Sequence, residues 1–158
     1  AEAVRTFNEE AARHGRQPRR SMCSYFIHIA DTPAEDAYGR EALIRYFHDA
    51  LIAAFPADPA KTPPTYRYFL QIVDILKTMK AESLTAKSVL VGSTRQIVDD
   101  LKQVEAAGIG EVILYFNYGL KPHAMVKEQM ARFMADIAPH FKTTADAGSL
   151  ALSAVPAQ

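Results

Sequence analysis

The chain has 158 residues, enough for one domain with a sizeable hydrophobic core, and 49% of them are hydrophobic. Its 18 basic and 18 acidic side chains cancel to a formal net charge of zero, which gives no electrostatic reason to expect nucleic acid or an anionic membrane as a partner. The single cysteine, Cys23, excludes an internal disulfide and is typical of a protein in a reducing cytoplasm.

Neither a metal site nor a membrane span is expected from the sequence. The histidines share no close ligand spacing with one another or with the cysteine; they are His14, His28, His48, His123 and His140. No apolar run approaches the roughly 20 residues of a membrane-spanning helix, and the charged, amphipathic start AEAVRTFNEEAARHG is unlike a signal peptide. This start lacks a methionine and lies inside a helical pattern, as the start of a fragment would.

The first third of the chain predicts a helix, a strand and a second helix. Gly15 is placed to end the first helix in a left-handed cap, after apolar residues at helical spacing: Ala3, Val4, Phe7 and Ala11. The run SMCSYFIHIA, residues 21–30, mixes β-branched and aromatic residues and predicts a buried strand. Thr32 can then cap a helix that begins at Pro33, with Glu35 completing a capping box, and this helix is expected to reach about Ala54.

The middle of the chain predicts a connector and a third helix. Residues 56–64, PADPAKTPP, are rich in proline and cannot form a regular element. A helix over residues 65–80 follows, with apolar side chains at Phe69, Ile72, Val73 and Leu76. Because no strand directly precedes this helix, it interrupts the alternation of strands and helices.

The second half is more regular. The run SVLVGS predicts a short strand ending at Gly92, and Ser93 with Gln96 predicts a capping box for a helix that Gly108 closes. The next strand is EVILYFN, residues 111–117. A last helix follows Pro122, and its predicted buried stripe is Val126, Met130, Phe133 and Ile137. Residues 143–158 are small and polar, which predicts a disordered tail after one domain over residues 1–142.

This order of elements predicts an α/β fold built from parallel crossover units. The strands lack clean polar alternation, as expected of parallel strands buried beneath helices on both faces. Only about three strands are present, near residues 21–30, 88–91 and 111–117. Since a complete eight-stranded α/β barrel of the TIM type needs ~250 residues, the chain could supply only the closing, C-terminal portion of such a barrel.

A family resemblance rests on VLVGSTRQIVDDLKQVEAAGIGEVILYFNYG, residues 89–119. This ordered series resembles the C-terminal part of luciferase-like flavin monooxygenases. The run PHAMVKEQMARFMADIAPHF, residues 122–141, is similar to that family's closing barrel helix, and the strand SYFIHIADT with the helices around it is similar to the segment that leads into it. The likeness spans roughly Val4 to Phe141.

The resemblance implies a flavin-dependent oxidoreductase. Members of that family fold as an eight-stranded barrel with FMN, or in some branches a deazaflavin, at the C-terminal mouth, where reduced flavin and oxygen act on a small organic substrate such as an aldehyde. The earlier strands, which in the family hold much of the flavin phosphate and the catalytic side chains, have no counterpart here. The chain is therefore expected to supply one wall of the flavin pocket.

The candidate site residues lie at the predicted carboxyl ends of the strands, where parallel barrels place their chemistry. Alternation along the last strand puts Ile113, Tyr115 and Asn117 on one face. If that face lines the barrel, the Asn117 amide can bond a flavin carbonyl or ring nitrogen while Tyr115 packs near the ring. The alternative is that Asn117 caps the turn and Tyr115 belongs to the core.

Three other residues are candidates at the same end. His28 can orient a substrate as a hydrogen-bond donor or a base, or it is a hydrogen-bonded core histidine. Gly92 and Ser93 lie where a barrel can bind phosphate at a helix N-terminus, although the capping box already gives Ser93 a structural role.

Two further functions stay open beside the flavin-dependent monooxygenase. One is a non-catalytic flavin-binding or interaction module that retains half the barrel, and the other is an unrelated stand-alone α/β domain. Missing strands would leave apolar sheet edges and helix faces exposed, so the chain is also expected to form a homo-oligomer.

Overall fold

A computed structural model describes residues 2–17, 20–55, 58–86 and 88–141. The strands are β1 (Ser21–Ile29), β2 (Val89–Gly92) and β3 (Ile109–Tyr115). The helices are α1 (Glu2–Arg13), α2 (Pro33–Tyr46), α3 (Tyr68–Thr78), α4 (Thr94–Ala106) and α5 (His123–Arg132). Irregular helical turns extend α2 to Ala54 and α5 to His140. The predicted tail, residues 143–158, and two residues of the proline-rich connector, 56 and 57, lie outside the described residues.

The three strands form one open parallel sheet in the order β2-β1-β3. Strand β2 pairs with the last four residues of β1, in the register Phe26↔Val89 to Ile29↔Gly92. Strand β3 pairs with the first six, ending at Phe26↔Tyr115. The prediction of an α/β fold with about three parallel strands is therefore confirmed.

The strand order β2-β1-β3 differs from that of a TIM-type barrel. In a contiguous part of such a barrel, neighbouring strands follow one another in chain order, so β1 would lie at one side and not at the centre. The chain crosses from β1 to β2 in one direction and then returns past β1 to β3. Because parallel crossovers are right-handed, the two connections must pass over opposite faces of the sheet. Helix α2 accordingly covers one face, called here the α2 face, while α4 and the extension of α5 cover the other, the α4 face.

Each face has its own hydrophobic core. The buried residues on the α4 face are Ile27, Ile29, Leu90, Ile97, Val98, Leu101 and Ile137. Those on the α2 face are Ala42, Leu43, Phe47, Leu76, Leu84, Val89 and Tyr118. Burial of this apolar surface, at roughly 25 cal/mol per Å², is the main force that holds the three layers together.

The α2 face is covered beside the carboxyl end of β1 but open beside the first half of β1 and along β3. Phe26 and His28 of β1 lie beneath α2, whereas Met22 is 57% exposed, Ile113 42% and Tyr115 47%. The prediction that both faces of the strands are buried is therefore wrong, on this face, for the first half of β1 and for β3. The reason is that α2 begins only four residues after β1 and crosses the sheet close to that end.

The two predicted capping boxes are confirmed. Thr32 Oγ1 accepts from the Glu35 amide at 3.2 Å, and the Glu35 carboxylate accepts from the Thr32 amide at 3.0 Å. Ser93 and Gln96 make the equivalent pair at the start of α4, at 3.3 and 2.8 Å. These contacts satisfy backbone donors that a helix cannot pair within itself.

The predicted buried stripe of the last helix is partly wrong. Val126 and Ile137 are buried as expected, but Met130 is half exposed and its neighbour Gln129 faces the sheet instead. A stripe at 126, 129, 133 and 137 fits helical spacing as well as one through 130, and only the packing selects it.

Gly119, in the segment after β3, packs against the backbone of α2, and a side chain at this position is expected to disrupt the fold. Its φ is +62°, and a Cβ would lie 2.1 Å from the Ala42 carbonyl oxygen. Gly119→Ala should lower the free energy of unfolding by about 3 kcal/mol, from the left-handed backbone and from overpacking together.

Gly15→Ala is the matched control for this substitution. The φ of Gly15 is +65°, but nothing lies within 4 Å of the position that a Cβ would take there. Gly15→Ala should therefore lower the free energy of unfolding by only about 1 kcal/mol. Urea unfolding of both variants measures the difference, and equal losses would show that the contact with α2 carries no energy.

Candidate functional site

The carboxyl end of β1 extends beyond its neighbour β3. Strand β3 ends opposite Phe26, so three further residues of β1 have no β3 partner. Buried backbone groups need hydrogen bonds, and side chains from the segment after β3 supply them here. Two of these side chains, Lys121 and Gln129, are buried polar residues.

Gln129 on α5 makes the backbone hydrogen bonds to Ile29 that a neighbouring strand would otherwise make. Its Oε1 accepts from the Ile29 amide at 2.6 Å, and its Nε2 donates to the Ile29 carbonyl oxygen at 3.0 Å. Both polar atoms of the Gln129 side chain are thereby satisfied, so its burial has a structural explanation. Arg132, one turn later, pairs with Asp31 at 2.8 Å and fastens α5 to the loop after β1.

Lys121 is the second buried partner of this strand end, with 6% of its surface exposed. Its Nζ donates to the carbonyl oxygens of Ile27 and Phe116, each at 3.4 Å, and lies 3.4 Å from the centroid of the Tyr118 ring. Within the described ranges, no carboxylate oxygen lies within 4.0 Å of this nitrogen. Burial lowers the pKa of Lys121 to about 7, so the amine is partly uncharged near neutral pH.

His28 lies beneath α2 and is also buried. Its ring packs against Gly39, where a Cβ would lie 2.5 Å from the ring, and its centroid is 5.7 Å from that of Tyr38. Its Nδ1 is buried and has no hydrogen-bond partner among the described residues, so the alternative of a hydrogen-bonded core histidine is not met at that atom. Burial first, and the charge of Lys121 second, lower the pKa of His28 to about 4.

Tyr118 connects these residues to α2. Its hydroxyl donates to the Gly39 carbonyl oxygen at 3.4 Å, and its ring packs edge-on against Phe26 at 5.3 Å. Burial raises the pKa of the Tyr118 phenol, so it stays protonated at physiological pH. Tyr118 thus contacts Lys121 directly and bonds to Gly39, the residue against which the His28 ring packs.

The turn between Tyr118 and Lys121 has an unusual backbone. Gly119 and Leu120 are both left-handed, with φ values of +62° and +58°. Leucine rarely adopts this conformation, and Leu120 is 92% exposed, so no packing of its side chain holds it there. Strain of this kind persists only when the surroundings fix the backbone, and here the residues on both sides of the turn are buried.

The structure places Tyr115 on the same face of β3 as Ile113, as the alternation predicted, and the register with β1 puts this face on the side of His28. The Tyr115 ring lies 5.4 Å from that of Phe26, and its outer part is exposed. Asn117 lies two residues beyond the end of β3 and is exposed. Tyr115, Phe26 and His28 therefore share the α2 face, and Asn117 lies outside the strand that was expected to contain it.

Gly92 and Ser93 have structural roles in the observed fold. The Ser93 hydroxyl and amide both contact the Gln96 side chain, at 3.0 and 2.8 Å. Gly92 has a φ of +153°, and a Cβ there would lie 2.7 Å from Gln96 Oε1. The capping interpretation of these residues is sufficient, and their contacts give no separate indication of a phosphate.

Two cavities among the described residues lie away from this end of the sheet. One, of about 550 Å³, opens beside the amino-terminal half of β3 on the α4 face, between Leu101, Val112, Phe133 and Phe141. The other, of about 540 Å³, lies along α1, next to Phe7 and His14. The described residues contain no cluster of three or more potential metal ligands. None of the described helices has the length and apolarity to cross a membrane.

Sequence reasoning missed Lys121 and Gln129. No local pattern marks a lysine between Leu120 and Pro122 as buried, because its burial depends on where β3 ends relative to β1. For Gln129 a signal existed, since its spacing from Val126 and Phe133 fits the buried stripe. A polar residue at such a position would have indicated a buried hydrogen bond.

Comparison with known proteins adds no relative. No protein-family model matches the chain, and a search of curated proteins gives no significant match. The resemblance to luciferase-like flavin monooxygenases therefore rests on the residues 89–119 and 122–141 and on the order of the elements.

The pKa of His28 predicts a loss of stability in mild acid. With a pKa of 6.5 when unfolded and about 4 when folded, the unfolded chain binds more protons between these values. The stabilisation is present above pH 6.5 and falls by about 3 kcal/mol as the pH drops to about 4. Urea unfolding across this range should show a smaller decline for His28→Asn than for the natural chain.

His123→Asn is the control, because it removes an exposed histidine at the start of α5. If the stability of His28→Asn declines with pH as steeply as that of His123→Asn, His28 is not a buried neutral group.

Proposed function

We propose that this chain is the C-terminal portion of a luciferase-like flavin-dependent monooxygenase of TIM-barrel type, and that it supplies one wall of the flavin site. When bound, reduced FMN or a deazaflavin supplies the electrons with which dioxygen oxidises a small organic substrate such as an aldehyde. The sequence resemblance and the parallel orientation of the three strands support this assignment, whereas the strand order β2-β1-β3 does not. A cytoplasmic location is part of the proposal, favoured by the single cysteine.

The observation that carries the proposal is the half-covered α2 face. Its uncovered part, beside the first half of β1 and along β3, presents exposed apolar side chains, Met22 and Ile113, next to the half-exposed ring of Tyr115. Soluble monomers rarely leave large contiguous apolar patches uncovered, and such patches mark ligand or protein contacts. In a flavin enzyme the α2 face would line the flavin site. The flavin and the strands around it would then cover the exposed side chains.

The residues of this face fit a flat, polar-edged ring. The Tyr115 ring is tilted 35° against Phe26 and leaves its other side free to stack on an isoalloxazine. The exposed Asn117 amide, two residues on, has both a donor and an acceptor for the carbonyl and nitrogen atoms of such a ring. His28 lies on the same face, but its Nδ1 is buried beneath α2 and is not part of the open surface.

A non-catalytic flavin-binding or interaction module is the second candidate. It is favoured by the way α2 and Tyr118 fill the carboxyl end of the α2 face, where a barrel would have its open mouth. Both candidates predict flavin contacts at Tyr115, and only the monooxygenase predicts turnover.

Titration with FMN tests the flavin assignment. Quenching of FMN fluorescence should report binding, and Tyr115→Ala should weaken it at least about tenfold by removing the stacking ring. Tyr68→Ala is the matched control, since Tyr68 is an exposed tyrosine on α3, away from the sheet. Absence of binding by the natural chain, or equal weakening by both variants, would contradict the proposal. Turnover of reduced FMN with an aldehyde then separates the monooxygenase from the module.

Self-association follows from the same exposed face. A second copy of the chain would cover Met22 and Ile113, so light scattering should show a mass above that of the monomer. Ile113→Lys should return the chain to a monomer, because a charge on this surface opposes its burial. Ile75→Lys, at an exposed isoleucine of α3, should leave the mass unchanged. A monodisperse monomer of the natural chain would rule out this association.

A further inference from the structure

We propose that Lys121 is a reactive amine that forms an imine with a small carbonyl compound at the carboxyl end of the sheet. Its Nζ is held by two backbone carbonyl oxygens and the face of the Tyr118 ring, none of which carries a charge. A desolvated lysine in such surroundings favours the neutral, nucleophilic form. This inference does not depend on the flavin assignment.

The nearby carboxylates are all engaged by other partners. Glu35 accepts hydrogen bonds from the amides of Asp31 and Thr32. Asp36 pairs with Arg40, and Asp31 pairs with Arg132. Other titratable groups at this end are His28, which is neutral at pH 7, the protonated phenol of Tyr118, and Tyr38 beside His28. None of the described residues therefore stabilises the ammonium form of Lys121 by ion pairing.

The Tyr118–Lys121 turn provides the route by which a small molecule reaches the amine. Leu120 is strained and almost fully exposed, and Lys121 follows it directly. Opening of this turn at Leu120 releases the left-handed backbone and moves Nζ away from the ring of Tyr118, which belongs to the core of the α2 face. The two hydrogen bonds that hold Nζ are long, at 3.4 Å each, so they resist such opening only weakly.

The reaction needs only the amine and the carbonyl compound. The Nζ lone pair attacks the carbonyl carbon, the C=O π electrons move to oxygen, and a proton passes from nitrogen to that oxygen to give a carbinolamine. Loss of water then forms the C=N bond. The overall change converts one amine and one aldehyde into one imine and one water, and no oxidant or reductant takes part. Once protonated, the imine can retain the contact with the Tyr118 ring.

A purely structural Lys121 would only satisfy the carbonyl oxygens of Ile27 and Phe116. The two roles differ in reactivity. A structural lysine stays shielded and reacts more slowly than exposed lysines. A reactive one is modified faster at neutral pH, because about half of it is uncharged there, against roughly one in 10³ of an ordinary lysine.

Reductive trapping tests the proposal on the whole chain. Propanal and cyanoborohydride convert any imine into a stable secondary amine, which peptide mass spectrometry assigns to individual lysines. At pH 7 Lys121 should be modified at least about tenfold faster than Lys127, an exposed lysine of α5. The rate at Lys121 should level off above pH 7, whereas the rate at Lys127 should keep rising. A Lys121 rate equal to or below that of Lys127 overturns the proposal.

Two variants sharpen this test. Lys127→Met should leave the modification of Lys121 unchanged. Leu120→Gly removes the strain of the closed turn, so it should slow modification of Lys121 about fivefold while leaving Lys127 unaffected. An unchanged rate at Lys121 in Leu120→Gly would overturn the route through the turn.

Discussion

The backbone of β1 beyond Phe26 is the constraint on which the rest of the structure depends. This strand lies at the centre of the sheet, yet β3 leaves it three residues before it ends. Its last backbone groups are buried and must be paired. The chain after β3 meets that requirement with a lysine amine and a glutamine amide, which fixes both the Tyr118–Lys121 turn and the docking of α5.

Satisfying these groups with Lys121 has a chemical consequence. A buried ammonium without a carboxylate is poorly solvated, and its charge in turn disfavours the imidazolium of His28, so the pKa of each group is lowered. Both basic groups at the carboxyl ends of the strands are therefore driven toward their neutral forms. One structural requirement, the pairing of a strand end, thus produces the kind of environment in which amines and imidazoles act as nucleophiles or bases.

The uneven cover of the sheet connects the fold to the proposed function. Helix α2 protects Phe26 and His28 but stops short of Met22, Ile113 and Tyr115. The same face therefore contains a closed aromatic core at one end and an open apolar surface at the other. A flavin with further strands and a second copy of the chain are two different covers for this surface, and they can be told apart because only the first requires the ring of Tyr115.

The sequence by itself determined the elements, their caps and the two sides of β3. Thr32 with Glu35, Ser93 with Gln96, and the alternation through Ile113 and Tyr115 all involve neighbours in the chain, so local rules were enough. Only the tertiary structure decided the order β2-β1-β3, the partial cover of the α2 face and the burial of Lys121 and Gln129. Each of these depends on contacts between distant residues, such as Gln129 with Ile29, 100 positions apart, which no local pattern encodes.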